Sequence, residues 1–261
     1  MVRCVFPKLA VTAALTLGLA CITVPSTASI WIGSQNCLHL GQNDPSGANQ
    51  ASKKTTLKNQ FATNKVNTLQ EVMVTSEVAN VTPGSYFYKV SGLKGNTSYK
   101  EAYGFVYSVT ASGSIVDYTG AGFERPPSGL LLYTVSSYAW FVDYHATFDA
   151  SPNALEIQAL NAVYNFYKGR SSVNSVYICG DYNRTATSTY FNNLKATGCN
   201  SILPNDLTSI NSTGGWANPY DHFCWNPTYS TAGGPARESI DPVTWRTTVS
   251  DHAGIYMWVS K

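Results

Sequence analysis

Apolar and polar residues change rhythm several times along the chain, and each change marks an element. Ser29 to Gln35 alternates as a half-buried strand does, and Asn36 stands at its end. Ala48 to Asn64 is polar with Ala51, Leu57 and Phe61 on one face, which predicts a helix. Val66 to Met73 reads as a strand with Glu71 near its end. A turn at Thr82-Pro83-Gly84-Ser85 precedes strands over Tyr86 to Val90 and Tyr99 to Val109, with Gly92 to Ser98 between them. Gly113 to Ser128 reads as loop and short strand ending in Pro126-Pro127. Leu130 to Val135 and Tyr138 to His145 read as a hairpin around Ser136-Ser137.

The clearest helical period follows. Leu155, Ala159, Ala162, Val163 and Phe166 share a face. Ser151 suits the N-cap, Pro152 suits the first turn, and Gly169 after Lys168 predicts the stop. Then comes a short apolar run, Val176-Tyr177-Ile178-Cys179, which enters Gly180-Asp181-Tyr182-Asn183. Thr187 to Ala196 reads as a second short helix, and Ser201 to Gly215 as loop. Tyr220 to Trp225, Trp245 to Val249 and Ala253 to Val259 read as the last strands. No repeat or linker divides the chain, and hairpins mix with helical crossovers, so residues 29–261 read as a single domain with mixed sheets.

The first 28 residues break this pattern. Arg3 and Lys8 precede an uncharged apolar run, Leu9 to Val24, and Ser26-Thr27-Ala28 offers small residues for cleavage. Residues 1–28 therefore read as a secretory signal peptide, too short in its apolar run for a membrane anchor. A secreted product is expected, with no stable membrane insertion. Charged residues make up only 12% of the chain, which suits an exported protein. Arg3 and Lys8 leave with the leader, bringing the 17 basic residues level with the 15 acidic ones. A strongly basic grip on nucleic acid is thus excluded. Four cysteines remain, and three full pairings are open. Cys199 and Cys224 sit in or beside turn-rich segments and are the favoured disulfide. Cys37 and Cys179 fall in apolar strands and read as buried thiols.

The candidate chemistry lies at strand ends. Asn36, Glu71, Glu101, His145, Asp181, Asn183, Asp221, Asp251 and His252 each follow or interrupt an apolar run. Any one of them is ordinarily a cap, a turn residue or a solvated charge. Nine in this placement are hard to assign to chance. Carboxylates and amides supply hard oxygen ligands for a divalent cation, and two imidazoles can divide the proton transfers of a hydrolysis. Each imidazole needs a carboxylate to fix its tautomer. Together these groups suit metal-assisted phosphodiester hydrolysis. No Gly-x-Ser-x-Gly elbow, phosphate-binding Walker loop or His-Glu-x-x-His pair competes with that reading.

In order, Asn36, Leu69-Gln70-Glu71, Ser98-Tyr99-Lys100-Glu101, His145, Gly180-Asp181-Tyr182-Asn183, Tyr220-Asp221 and Ser250-Asp251-His252 resemble the endonuclease/exonuclease/phosphatase superfamily. Asn96 to Tyr103 and His145 to Tyr164 resemble its deoxyribonuclease I branch in order and spacing. The resemblance covers nearly all of the chain after the leader. It implies an α/β fold, a four-layer α-β-β-α sandwich of two packed mixed β-sheets, with the site at one sheet edge. It implies a divalent metal (magnesium, with calcium or manganese as alternates) held by Glu71, Asn36 and Asp251. It makes His145, oriented by Glu101, the acid, and His252, paired with Asp221, the base. Asp181 and Asn183 would position water and phosphate, and Tyr99 would lie against the substrate backbone. DNA is the substrate implied, and a monomer is expected.

The chain also departs from that pattern. Asp221 is followed by His222-Phe223-Cys224, the end reads Ser250-Asp251-His252-Ala253-Gly254-Ile255, and position 37 is Cys where a groove-reading base is usual. Arg184, directly after Asn183, resembles instead the nuclease subunit of cytolethal distending toxins, which would add toxin partner subunits and give Arg184 a substrate contact. A sphingomyelinase-like or phosphatase activity at the same site is a further alternative, with Gly214 to Pro219 as its one candidate membrane-touching loop.

Overall fold

The computed structural model describes residues 29–42, 49–134, 137–170, 173, 175–229 and 231–260. The expected leader at 1–28, Ala48 and Ser136 lie outside the described residues. In chain order the elements are β1 (Ser29–Leu40), α1 (Gln50–Phe61), β2 (Val66–Val72), α2 (Glu77–Val81), β3 (Phe87–Val90), β4 (Ala102–Tyr107), β5 (Thr110–Asp117), β6 (Ser128–Tyr133), β7 (Tyr138–His145), α3 (Ala150–Arg170), β8 (Val176–Asp181), α4 (Asn192–Ala196), β9 (Ser201–Leu203), β10 (Asp221–Trp225), β11 (Thr231–Arg237), α5 (Pro242–Thr248) and β12 (Ile255–Ser260).

The strands form two six-stranded sheets, ordered β11-β12-β1-β2-β4-β3 and β5-β6-β7-β8-β10-β9. Each is mixed: β1 runs parallel to β2 and β7 parallel to β8, while their outer neighbours are antiparallel. Three apolar cores separate four layers. Leu57 and Phe61 of α1 pack on Leu69, Val72 and Val106 of the first sheet. Ile32, Phe105 and Met257 meet Leu132, Phe141 and Phe223 between the sheets. Ile157, Leu160 and Tyr164 of α3 cover Val142 and Ile178 on the far side. The expected α-β-β-α sandwich is therefore present. The disulfide joins Cys199 and Cys224, while Cys37 and Cys179 are buried free thiols. Among the described residues no helix is long and apolar enough to cross a membrane.

Several elements differ from the expectation. Trp245 to Thr248 belongs to helix α5 and Val249 ends it as the C-cap, because the Asp241 side chain accepts from Thr244 N at 3.0 Å and Pro242 opens the first turn. Its Trp245 packs against the α1 core, a tertiary contact that the local pattern does not reveal. The segment after Gly113 continues a full strand, β5, and the polar loop begins with the short strand β9. Helix α3 starts one residue before Ser151 and runs through Gly169. The strand expected from Tyr99 is regular only from Ala102.

Topology explains why the candidate residues meet. Parallel β1 and β2 end at one edge, and β4 and β12, antiparallel to them, begin there. In the other sheet β7 and β8 end where antiparallel β10 begins. In register, His145 and Asp221 both face Asp181. Gly180 makes that spacing attainable. Its φ is +140°, and a Cβ there would stand 1.9 Å from the Tyr144 carbonyl oxygen, so only glycine lets β8 lie this close to β7.

Candidate active site

A cleft of about 530 Å³ opens at this edge, and Glu71, Tyr99, His145, Asp181, Asn183, Asp251 and His252 all line it. The other expected groups stand behind the wall they support. The backbone here leaves regular strand geometry. β1 and β2 lose register between Asn36 and Leu40, and Leu38, His39 and Glu71 adopt positive φ of 41°, 56° and 55°. Such left-handed non-glycine residues persist only where surrounding contacts fix them. Those contacts are present. Glu71 Oε2 accepts from His39 N at 3.2 Å and Oε1 from Asn36 Nδ2 at 2.9 Å. The same Asn36 nitrogen donates to Asp181 Oδ2 at 3.1 Å, tying the two sheets together.

Two imidazoles face the cleft with similar supports. His145 Nδ1 lies 2.8 Å from Glu101 Oε1, and His252 Nδ1 lies 2.7 Å from Asp221 Oδ2. Each carboxylate accepts a hydrogen bond from Nδ1–H and so turns Nε2 toward the opening. His145 Nε2 is 3.7 Å and His252 Nε2 is 3.5 Å from the same Asp181 Oδ2. Burial disfavours both imidazolium ions, but Glu101 outweighs it at His145, and Asp221 with Asp181 outweighs it at His252. Both histidines hold a proton above their ordinary range, His252 well above it. Burial alone would raise Glu101, yet His145, Arg125 and Tyr99 bring it below the usual carboxylate value. Burial pushes Asp181 up to about 6, partly countered by the two histidines.

Asp181 Oδ1 accepts from Asn183 N at 2.8 Å, and Asn183, at φ +47°, donates its amide to the Ala146 carbonyl at 3.0 Å. Tyr99 donates to Glu101 Oε2 at 3.4 Å, and burial followed by Glu71 and Glu101 raises its phenol. Arg184 turns away from the cleft. Its Nε donates to Asn153 Oδ1 at 2.7 Å, its guanidinium donates to Ala150 O at 3.1 Å, and it stacks over Tyr190. The residue that follows Asn183 in sequence thus braces the start of α3.

The donor set suits a hard cation. Asp251 Oδ1 is buried with no hydrogen-bond partner, an orphaned carboxylate oxygen in the cleft wall. With Glu71 it offers the oxygen ligands that magnesium, calcium or manganese prefers. Asn36 stands beside the Glu71 and Asp181 carboxylates. Its Oδ1 accepts from Leu38 N at 3.0 Å and its amide N–H groups face the carboxylates, so it orients Glu71. Among the described residues, Asp181, Asp221 and His252 are the group that brings potential ligand atoms together, one from each within 4.8 Å of one another.

Several residues of the site carried no pattern in the sequence. Arg125 is buried, stands 3.3 Å from Glu101 Oε1 and donates to Ala146 O at 2.9 Å. It lies in an irregular segment before Pro126-Pro127, where periodicity is silent; scarce charge beside two prolines is its only signal. His39 stands 3.7 Å from Glu71. The loop 204–220 supplies the third wall with Ser209, Asn211 and Asn218. It is held by Ile210 N to Asp251 O at 2.7 Å and by Ala253 N to Thr208 O at 2.9 Å.

No protein-family model matches the sequence, and no curated protein matches it. Solved structures do match. D. rerio TDP2 complexed with a single-stranded DNA product superposes with a TM-score of 0.66 at 15% identity, over 90% of this chain and 100% of that one. An endonuclease/exonuclease/phosphatase family protein from Bacteroides thetaiotaomicron gives 0.61 at 12% identity, over 88% and 94%. The mannosyl-6-phosphatase Bt3783 of the same organism gives 0.63 at 12% identity, over 89% and 100%. The chain shares the fold of these structures, a deoxyribonuclease I-like sandwich of two packed mixed β-sheets.

Proposed function

We propose that the protein is a secreted, divalent-metal-dependent endonuclease that hydrolyses phosphodiester bonds of DNA. One observation carries the reading: two imidazoles, each backed by its own buried carboxylate, converge on Asp181 from opposite sides with Nε2 atoms 3.7 and 3.5 Å from one oxygen. A phosphoryl group held beside Asp181 would then lie within reach of both a proton donor and a proton acceptor. In this reading the Nε2–H of His145 protonates the leaving oxygen, and neutral His252 takes the proton of the attacking water. Asp181 and Asn183 hold water and phosphate, and Tyr99 lies against the substrate backbone. Glu71 and Asp251 hold the cation, with Asn36 orienting Glu71. Bound magnesium would neutralise charge developing on the phosphoryl oxygens. The fold supports a hydrolase of phosphate esters, and one of the similar structures holds a DNA product.

A second reading keeps the site and shortens the substrate to a small phosphodiester or phosphomonoester. It is favoured by the scarcity of free cations. Of the two arginines lining the cleft, Arg125 is buried against Glu101, and Arg246 donates to Ile210 O at 2.6 Å. Supercoiled plasmid, incubated with magnesium and with excess chelator, separates the readings. Nicking only with magnesium supports the endonuclease; an intact plasmid with release of phosphocholine or inorganic phosphate from small esters transfers the assignment to the second.

A further inference from the structure

Outside the cleft, one cavity of about 340 Å³ combines aromatic walls with a carboxylate that lacks a partner. It lies on the outer face of the first sheet, beyond the end of α1. Strand alternation puts Trp31 and Gly33 of β1 on one face with Tyr256 and Trp258 of β12, since Trp31 pairs with Trp258 and Gly33 with Tyr256. The bare Cα of Gly33 makes room for Asn64, whose amide would stand 2.5 Å from a Cβ there. Trp31 and Tyr256 meet at 63° with centroids 5.6 Å apart, so they form a corner rather than a closed stack. Trp31 is 43% exposed, an unusual amount for the largest apolar side chain.

Glu238 completes the corner. Its backbone N–H donates to Gly254 O at 2.8 Å, which fixes the residue beside Tyr256. Its carboxylate has no hydrogen-bond or ion-pair partner among the described residues. Burial raises its proton affinity, and no neighbouring charge is among the causes. The adjacent cation is directed elsewhere: Arg237 lies 3.5 Å over the Trp216 ring and donates to Leu207 O. The remaining walls are Thr63, Asn64 and Ser239, which bring hydroxyls and an amide but no positive charge.

We propose that the Trp31–Tyr256–Glu238 corner is a binding site for a small organic ammonium ion. A positive group neutralises a partly buried carboxylate and also gains from aromatic ring faces. A neutral sugar could use the rings and donate a hydroxyl to the carboxylate, but it leaves the negative charge unneutralised. The cavity volume admits a cation with several carbon substituents. The site is independent of the proposed hydrolysis, since it shares no lining residue with the cleft.

The test uses the chain labelled with 15N and follows the Trp31 indole resonance, assigned through Trp31→Phe. Tetramethylammonium chloride is titrated against sodium chloride at equal ionic strength, with tert-butanol and methyl glucoside as neutral probes. A saturable shift with tetramethylammonium is expected, weakened about tenfold in Glu238→Gln, the loss of one close charge contact. Glu238→Asp, which keeps the charge, should retain part of the binding. Equal binding by tert-butanol makes the corner merely apolar, and binding by the glucoside alone makes it a sugar site; either overturns the proposal. So does unchanged affinity in Glu238→Gln, or no shift at all in a chain whose melting temperature is unaltered.

Discussion

His145 and His252 reach Asp181 from opposite sides, and their surroundings are balanced differently. On the His145 side, the Glu101 charge is shared with Arg125, whose guanidinium restrains the imidazolium. On the His252 side Asp221, Asp181 and Asp251 all favour the proton, and the histidine is held well above its ordinary value. A proton on His145 is consistent with an acid at neutral pH. A base at His252 needs that proton removed, which a cation beside Asp251 would assist by competing for the same negative field. If the proposed mechanism holds, the asymmetry would tie its metal requirement to the His252 side in particular.

The most damaging way to break the comparison is to delete either ring. His145→Ala and His252→Ala should each lower plasmid nicking by about a thousandfold or more, because each removes one proton transfer. Full activity in both would end the assignment. A smaller change sharpens the difference between the sides. Arg125→Met removes the cation that restrains His145, so its proton affinity should rise further. The pH profile of kcat/KM should then extend on the alkaline side, where loss of the acid's proton limits the rate, while the limb set by deprotonation of His252 stays in place. Movement of both limbs together would mean that the two sides are not separately tuned. The wild-type profile should itself rise late, since His252 must lose a proton that its carboxylates retain above the ordinary histidine range. The smallest effect is expected at Arg184. Arg184→Ala should leave nicking nearly intact and lower stability by about 1 kcal/mol through the lost bond to Asn153, measured by urea unfolding. A large loss of activity at constant stability would restore Arg184 to substrate binding.

Much of the cleft could be located in the sequence because strands deliver it. Glu71, Glu101, His145, Asp181 and Asp221 sit at or beside strand termini, and apolar runs bounded by turns mark those termini without any tertiary information. Even the disulfide followed from turn-rich surroundings. What escaped lies where the chain leaves periodic structure. Arg125 and the 204–220 wall are placed by long-range hydrogen bonds to Ala146, Asp251 and His252's neighbour Ala253, which no local pattern encodes. The sequence marks Asn36 at a strand end, but the direction of its amide depends on the local backbone, where Leu38 adopts positive φ. Helix α5 has a local start signal in Asp241-Pro242, but its short length and the docking of Trp245 on another layer leave no helical period to read.

Gly180 carries a consequence for how this molecule tolerates change. Any side chain there collides with the carbonyl one residue before His145, and the backbone that yields also carries Asp181. His145 and Asp181, the proposed acid and phosphate anchor, are therefore geometrically geared to one another. Drift at this single position would misalign both at once, so variation along β8 can be absorbed in the core long before it can be absorbed at its last two residues.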